Sequence, residues 1–145
     1  MAAADFKIRP FRRGDRQAAQ TLLEEAGYPL SPADCAAVVA WICSHPETEA
    51  FLAVDVADHP LGLISLSHRP QMRIGGRIGT VEILYVKPEH RRQGLGKALI
   101  EQVLARTQAL GCRRVEANVP RAASGGRALL ATLGFTLVDE DVMKR

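Results

Sequence analysis

The stretch VEILYVKPEHRRQGLGKALI, at positions 81–100, constrains the fold more than any other part of the sequence. Its first six residues are apolar apart from Glu82 and predict a buried β-strand, while Leu95 and Leu99 have the spacing of one helix face. A charged corner with two arginines and two glycines separates the two elements. A strand that passes through such a corner into a helix is typical of domains in which helices cover a sheet.

The corner has the features of an anion-binding site. A helix N-terminus leaves its first backbone amides without partners and carries about half a positive charge. Gly94 and Gly96 let the backbone approach a ligand closely, and Arg91 and Arg92 add planar cationic donors. These residues predict a site for a phosphate or pyrophosphate, with a glycine-containing turn that binds nothing as the simpler alternative.

Two common phosphate-binding motifs do not fit this corner. Ala98 stands where the P-loop requires Ser or Thr, and Leu99 stands where the dinucleotide fingerprint requires a third glycine. Seven Lys and Arg residues nevertheless lie between positions 69 and 97, against two Glu. Such a concentration favours an anionic ligand, and its alternative is a solvated basic face.

Periodicity and turn signals predict the element order β-α-α-β-β-β-α-β-α-β. The predicted strands lie at about residues 6–9, 51–56, 61–67, 78–86, 113–119 and 135–143, and the predicted helices at about 16–26, 32–44, 95–110 and 124–133. Asp15 and Ser31 are the predicted N-caps of the first two helices, and Trp41 on the second is interpreted as a core residue. The order predicts a mixed α/β fold with helices on a mostly antiparallel central sheet.

The corner RRQGLG resembles the R/Q-x-x-G-x-G/A signature of the GCN5-related N-acetyltransferases, the GNAT superfamily. The preceding LYVKPEH resembles the strand and turn before that signature, IRPFRRGD the family's first strand and loop, and LLATLGFTLVDED its last helix and strand. The resemblance covers almost the whole chain and implies one domain at 1–145. It also implies a GNAT-like sheet of six to seven strands with helices on both faces, splayed between strands 4 and 5.

The resemblance implies acetyl-CoA as the co-substrate. In the family, backbone amides at positions matching 93–97 hold the pyrophosphate, and the strand before the corner pairs with the pantetheine arm. The implied cofactor-binding residues are Leu84, Tyr85, Val86, Arg91, Arg92, Gln93, Gly94, Leu95, Gly96 and Lys97.

Direct acetyl transfer to an amine needs a base, an oxyanion donor and an acid for the thiolate. Glu82 is the candidate base, because family members often carry a carboxylate there and because burial would raise its pKa. The alternative interpretation places Glu82 at a solvated strand edge or in an ion pair with Arg77 or Arg114. The backbone N–H of Tyr85 or Val86 is the candidate oxyanion donor.

The sequence departs from the family at the positions that commonly supply the acid for the leaving thiolate. Leu130 stands where a tyrosine is common, and Ala123 stands where an asparagine is common. The remaining candidates for protonating the thiolate are Tyr85, Ser124 and water. Glu82 and Tyr85 are therefore the predicted catalytic residues.

The resulting hypothesis is an acetyl-CoA-dependent N-acetyltransferase that acts on a primary amine of a small molecule or peptide by direct transfer. Leu130 keeps open the alternative of an acyl-CoA-binding sensor or regulatory module without turnover. A nucleic-acid-binding domain is disfavoured, because Tyr85 is the only aromatic residue among the basic positions 69–97. Acidic residues on the N-terminal helices would suit a polyamine or aminoglycoside, whereas the arginines near 73 would suit a carboxylate-bearing acceptor.

Composition sets the remaining expectations. The 145 residues fit one core, and neither a signal peptide nor an apolar run of about 18 residues is visible, so no membrane association is expected. The three cysteines lack C-x-x-C spacing and the four histidines lack metal-ligand spacing. We expect no metal, a cytoplasmic location and, since dimers are common in the GNAT family, compatibility with a homodimer.

Overall fold

The computed structural model describes residues 5–120, 124–138, 140 and 142–145 of the chain. The elements in order are β1 (Lys7–Pro10), α1 (Arg16–Glu25), α2 (Pro32–Ser44), β2 (Thr48–Val54), β3 (Pro60–Gln71), β4 (Gly76–Val86), α3 (Leu95–Ala109), β5 (Arg114–Ala117) and α4 (Ser124–Thr132), with single 3-10 turns at Arg13–Asp15 and Pro88–His90. The predicted order is therefore confirmed from β1 to α4.

The described strands form one mixed sheet with the order β1-β2-β3-β4-β5. Each of the first three neighbouring pairs is antiparallel, whereas β4 and β5 are parallel. The parallel pair follows from the crossover through α3, since parallel neighbours need a long connection. The mostly antiparallel sheet predicted from the sequence is thus confirmed.

The predicted number of strands is wrong: the described residues hold five strands rather than six to seven. The predicted last strand at 135–143 accounts for the difference, because residues 135–138, 140, 142 and 143 have no strand structure. Leu137 and Met143 in this segment are 81% and 94% exposed. An apolar alternation alone does not create a strand when its backbone finds no partner to pair with.

Helices cover both faces of the sheet. On one face, Leu95, Leu99 and Val103 of α3 and Leu130 of α4 pack in the main core cluster. On the other face, Leu22 of α1 packs with apolar residues of β2 and β3. No helix in the described part of the chain is long and apolar enough to cross a membrane.

The pairing of β3 and β4 contains a β-bulge at Glu82. Ser65 pairs with Ile83 and Leu66 with Val81, so Glu82 has no partner opposite it on β3. An extra residue shifts the alternation of side chains along the bulged strand. Beyond the bulge, Leu84 and Val86 pack on the α3 side and Tyr85 on the α1 side.

Several local expectations are also decided by the structure. The N-cap at Ser31 is confirmed, since its Oγ accepts the Asp34 N–H at 3.1 Å. Asp15 precedes α1 but makes no side-chain cap to it; its carboxylate instead accepts from the Arg12 N–H at 2.7 Å and from Arg9. The interpretation of Trp41 as a core residue is wrong, because the residue is 64% exposed.

Candidate active site

The glycine corner forms an open N-terminus of α3. Gly94 is the N-cap with a left-handed φ of 86°, and Arg92 also has a positive φ of 62°. No side chain of the described residues caps the helix, so the amides of its first turn remain available to a ligand. A left-handed N-cap explains the glycine, because a Cβ disfavours this conformation.

The second glycine of the corner has a different role. A Cβ on Gly96 would lie 3.0 Å from Cδ2 of Leu129, whereas one on Gly94 would meet nothing within 4 Å. Gly96 therefore allows α4 to pack close to the start of α3. Gly94 borders open space, which is what a ligand at this corner would require.

Arg91 connects the corner to the end of β4. Its Nε donates to the Val86 carbonyl at 3.0 Å, and its guanidinium lies 5.7 Å from the centre of the Tyr85 ring. Arg92, Gln93 and Lys97 are exposed, while the Leu95 side chain is buried, so only the backbone of Leu95 can reach a ligand. Arg91 thus places one positive charge beside the end of β4, while Arg92 and Lys97 remain exposed.

Where the sequence predicted a splay between β4 and β5, the two strands pair along only part of the length of β4. The two strands pair only from Ile78 with Arg114 to Val81 with Ala117, and the last hydrogen bond joins the Asn118 N–H to the Val81 carbonyl at 3.0 Å. Among the residues that the structure describes, none pairs with 82–86 on the β5 side. The open edge of β4 leads directly to the N-terminus of α3.

The direction of the peptide groups decides which residues face this open edge. The Lys87 N–H donates to Leu61 on β3 at 2.9 Å. Since peptide groups alternate along a strand, the N–H groups of Val86 and Leu84 point into the gap and that of Tyr85 points to β3. Between the two oxyanion donors predicted from the sequence, the geometry favours Val86.

Glu82 lies where β4 leaves β5, but its surroundings differ from those expected. The residue is exposed, so the predicted burial is wrong. Its carboxylate accepts from Ser67 Oγ at 3.0 Å and pairs with neither of the arginines considered. Arg77 instead contacts His68 Nδ1 at 3.2 Å, and Arg114 lies 3.4 Å from Glu116. The bulge, which directs Glu82 away from the core, explains the difference.

Tyr85 is half-buried beside α1. Burial raises the pKa of its hydroxyl, the nearby Glu25 carboxylate raises the pKa further, and Arg91 opposes both. The hydroxyl therefore keeps its proton at neutral pH. Such a group can serve as an acid and not as a base.

The position that commonly holds the family's tyrosine is part of the core here. Leu130 is 6% exposed and packs with the buried residues of α3. Ala123 and the side chain of Ser124 lie outside the residues that the structure describes. Among the described candidates for the acid, Tyr85 is the only side chain with a suitable proton.

A cleft of about 610 Å³ opens beside Glu82 on the sheet face opposite α3. Residues of three strands line it, among them Ser67 and Arg69 of β3, Thr80 and Glu82 of β4, Glu116 of β5 and Asn118. Sequence reasoning missed Ser67 and Asn118, and it counted Arg69 only among the basic residues that favour an anionic ligand. The alternation of Ser67, Arg69 and Gln71 along β3 was the available signal, since residues two apart share a strand face. Within the described residues, no group of His, Cys, Asp and Glu is arranged to hold a metal ion.

Comparisons with known proteins agree with this geometry. A model of the Acetyltransferase (GNAT) family matches residues 16–135. A mycothiol acetyltransferase of Pseudarthrobacter chlorophenolicus is 30% identical over 142 residues, which are 94% of this chain and 44% of that protein. The chain thus spans less than half the length of this relative.

Solved structures share the fold. A ribosomal-protein-alanine N-acetyltransferase of Brucella melitensis superposes with a TM-score of 0.79 at 22% identity, covering 97% of this chain and 99% of that one. An aminoglycoside N-acetyltransferase, AAC(6')-Iy, in complex with CoA superposes with a TM-score of 0.87 at 18% identity, covering 99% and 96% of the two chains. The family match and the fold together show that this chain belongs to the GNAT family of acetyltransferases.

Proposed function

We propose that this protein is an acetyl-CoA-dependent N-acetyltransferase that moves an acetyl group to a primary amine of a small molecule or peptide. One observation carries the proposal: the uncapped N-terminus of α3 adjoins the unpaired edge of β4. A diphosphate needs convergent N–H donors, and an amide-bearing arm needs an open strand edge. The two requirements of CoA therefore meet in one continuous groove.

In this proposal, the backbone of residues 93–97 holds the pyrophosphate, with Arg91 and Arg92 adding charge. The Leu84 and Val86 peptide groups hydrogen-bond the pantetheine arm as an added strand would. Arg91 is already fixed by its bond to Val86, so its guanidinium loses little freedom when the ligand binds.

The transfer step is a direct displacement. The acceptor ammonium first loses a proton, and its nitrogen lone pair then attacks the thioester carbonyl carbon. A C–N bond forms and the C–S bond breaks. The developing oxyanion accepts from one of the two β4 N–H groups that point into the gap, that of Val86 or that of Leu84, and the pantetheine arm accepts from the other. The thiolate leaves and takes a proton from the Tyr85 hydroxyl or from water, and the nitrogen of the new amide gives its second proton to the tyrosinate or hydroxide so formed.

Glu82 is the proposed first acceptor of the ammonium proton. It lies in the cleft at the point where β4 and β5 separate, and it is open to water that can carry the proton away. A carboxylate so placed can also bind the ammonium before the proton leaves. Both roles need only the charge and the location that Glu82 has.

Calorimetric titration with acetyl-CoA tests the first half of the proposal, and thiol release in the presence of amines tests the second. The panel contains simple alkylamines, aminoglycosides, amino acids and peptides with free N-termini. Binding together with thiol release that depends on the amine supports the enzyme. Binding without release on any amine favours the acyl-CoA-binding module, and no binding contradicts the groove itself.

A further inference from the structure

The cleft beside Glu82 has opposite charges at its two ends. Glu82 and Asn118 lie at the end next to the open edge of β4, and Arg69 and Arg73 lie further along β3 and its turn. Ser67 and Arg69 occupy the same face of β3, because they are two residues apart and both line the cleft.

Glu82 and Arg69 differ from the other charged residues of the cleft, because neither forms an ion pair with a described residue. Glu116 lies 3.4 Å from Arg114, and Glu140 lies 3.9 Å from both Arg73 and Arg114. Glu82, by contrast, accepts only from the Ser67 hydroxyl among the described residues. No carboxylate of the described part of the chain pairs with Arg69, which is exposed in the cleft.

The geometry of β3 relates the position of Arg69 to that of Glu82. Ser67 contacts Glu82 directly, and Arg69 follows two residues later along β3. Two residues of a strand span roughly 7 Å between their Cα atoms. A short extended chain can therefore reach from the Glu82 carboxylate to the Arg69 side chain. No ion pair joins Arg69 and Glu82, so both charges are open to a ligand in the cleft.

We propose that the acetyl acceptor is a zwitterion: a primary ammonium and a carboxylate joined by a short extended chain. The ammonium lies at Glu82, beside the open edge of β4, and the carboxylate lies at Arg69. An ω-amino acid or a dipeptide has this chemistry. The inference rests on the proposed function, since it names the class of acceptor for that same site.

The opposite charge pattern explains what the cleft excludes. A diamine of the same length would place its second ammonium against Arg69, where like charges repel. A monoamine, which has no second charged group, would leave Arg69 without a partner but would meet no repulsion. We therefore expect kcat/KM to be highest for the zwitterion, lower for the monoamine and lowest for the diamine.

Three acceptors of equal chain length test the order: 5-aminopentanoate, pentylamine and 1,5-diaminopentane. We expect kcat/KM for 5-aminopentanoate to exceed that for the diamine by about tenfold, because attraction for one and repulsion for the other combine at one exposed arginine. Arg69→Glu should reverse this ratio. Arg13→Glu, the same charge change at an exposed site outside the cleft, should leave the ratio as it is in the wild type.

Calorimetric binding of the same three amines to the CoA-saturated protein keeps the test independent of turnover. Selective binding of 5-aminopentanoate that Arg69→Glu reverses, with no thiol release on any amine, would support the zwitterion site and contradict the proposed enzyme. Thiol release on all three amines with equal kcat/KM, or a ratio that Arg69→Glu does not change, would overturn the zwitterion site and leave the enzyme standing.

Discussion

Arg91 and Tyr85 are in contact where β4 ends, with the guanidinium carbon 5.7 Å from the centre of the aromatic ring. The same guanidinium group donates to the Val86 carbonyl at 3.0 Å. Arg91 thus bridges the glycine corner and the open edge of β4, the two parts of the proposed CoA groove. In the proposed complex, Arg91 would therefore lie beside both the pyrophosphate and the adjoining part of the pantetheine arm.

Replacing Arg91 tests this bridge. We expect Arg91→Ala to weaken CoA binding by roughly tenfold, since a charge-assisted contact to phosphate is lost. Arg91→Glu should weaken it further, because a carboxylate would face the diphosphate. Calorimetric titration with CoA measures both, with Arg13→Ala as a matched exposed control. Unchanged affinity in Arg91→Glu would rule out a diphosphate at this corner.

Gly94 tests the backbone of the corner independently of charge. Its φ of 86° is one that a Cβ disfavours by about 1–2 kcal/mol, so Gly94→Ala should destabilise the protein by about that amount. Gly94→Asn should cost less, because asparagine adopts the left-handed region more readily. Both variants should weaken CoA binding, since a side chain would enter the space at the N-terminus of α3.

Urea unfolding and CoA titration measure the two effects separately. Gly14→Ala is the control, because Gly14 lacks a positive φ and a Cβ there would meet nothing within 4 Å. It should leave stability unchanged or slightly raised through a less flexible unfolded chain. A Gly94→Ala variant as stable as Gly14→Ala would contradict the left-handed cap.

The buried ion pair between Arg9 and Asp15 predicts a dependence of stability on pH. Two hydrogen bonds of 2.8 Å join the guanidinium to both carboxylate oxygens, and the two side chains are 8% and 11% exposed. The hydrogen bonds from Arg9 lower the pKa of Asp15 below its ordinary value. A lowered pKa stabilises the fold above the unfolded value of about 3.9, and this contribution is lost as the pH falls through the folded pKa.

Arg9→Met should therefore lower the free energy of unfolding at pH 7 by about 3–5 kcal/mol, because it leaves the Asp15 carboxylate buried without its partner. Below about pH 4 the difference from the wild type should shrink as Asp15 is protonated. Urea unfolding at a series of pH values measures this. Asp58→Asn, at a half-exposed partner of Arg9, should have a smaller effect. A constant difference down to pH 2 would mean that Asp15 does not carry the stability.

The parts of the fold that the sequence predicted are those with local signals. The α3 corner follows from its glycines and arginines, and the start of α2 follows from Ser31 and Pro32, because capping depends on adjacent residues. Trp41 was misplaced because α2 has apolar residues on more than one side, so that its sequence does not define a single buried face.

The parts that the sequence did not predict depend on pairing between distant residues. The β-bulge that exposes Glu82 exists only in the register with β3, and nothing in the local sequence marks it. The cleft likewise brings together Ser67, Glu82 and Asn118 from three different segments. The missing last strand is the same kind of error, since alternation predicts a strand but does not provide its partner.

Glu82 provides the most direct test of the chemistry. If its carboxylate takes the ammonium proton, Glu82→Gln should lower kcat by roughly 100-fold, in the range of general base catalysis. CoA affinity should stay as in the wild type, because Glu82 lies in the cleft rather than at the glycine corner.

Ser67→Ala separates this role from simple positioning, because it removes only the hydroxyl that donates to Glu82 at 3.0 Å. We expect at most a few-fold loss of kcat, since the carboxylate itself remains. Thiol release with pentylamine measures both variants on an acceptor that does not use Arg69. If Glu82→Gln keeps the wild-type kcat, the ammonium loses its proton to water, and Glu82 only helps to bind the acceptor.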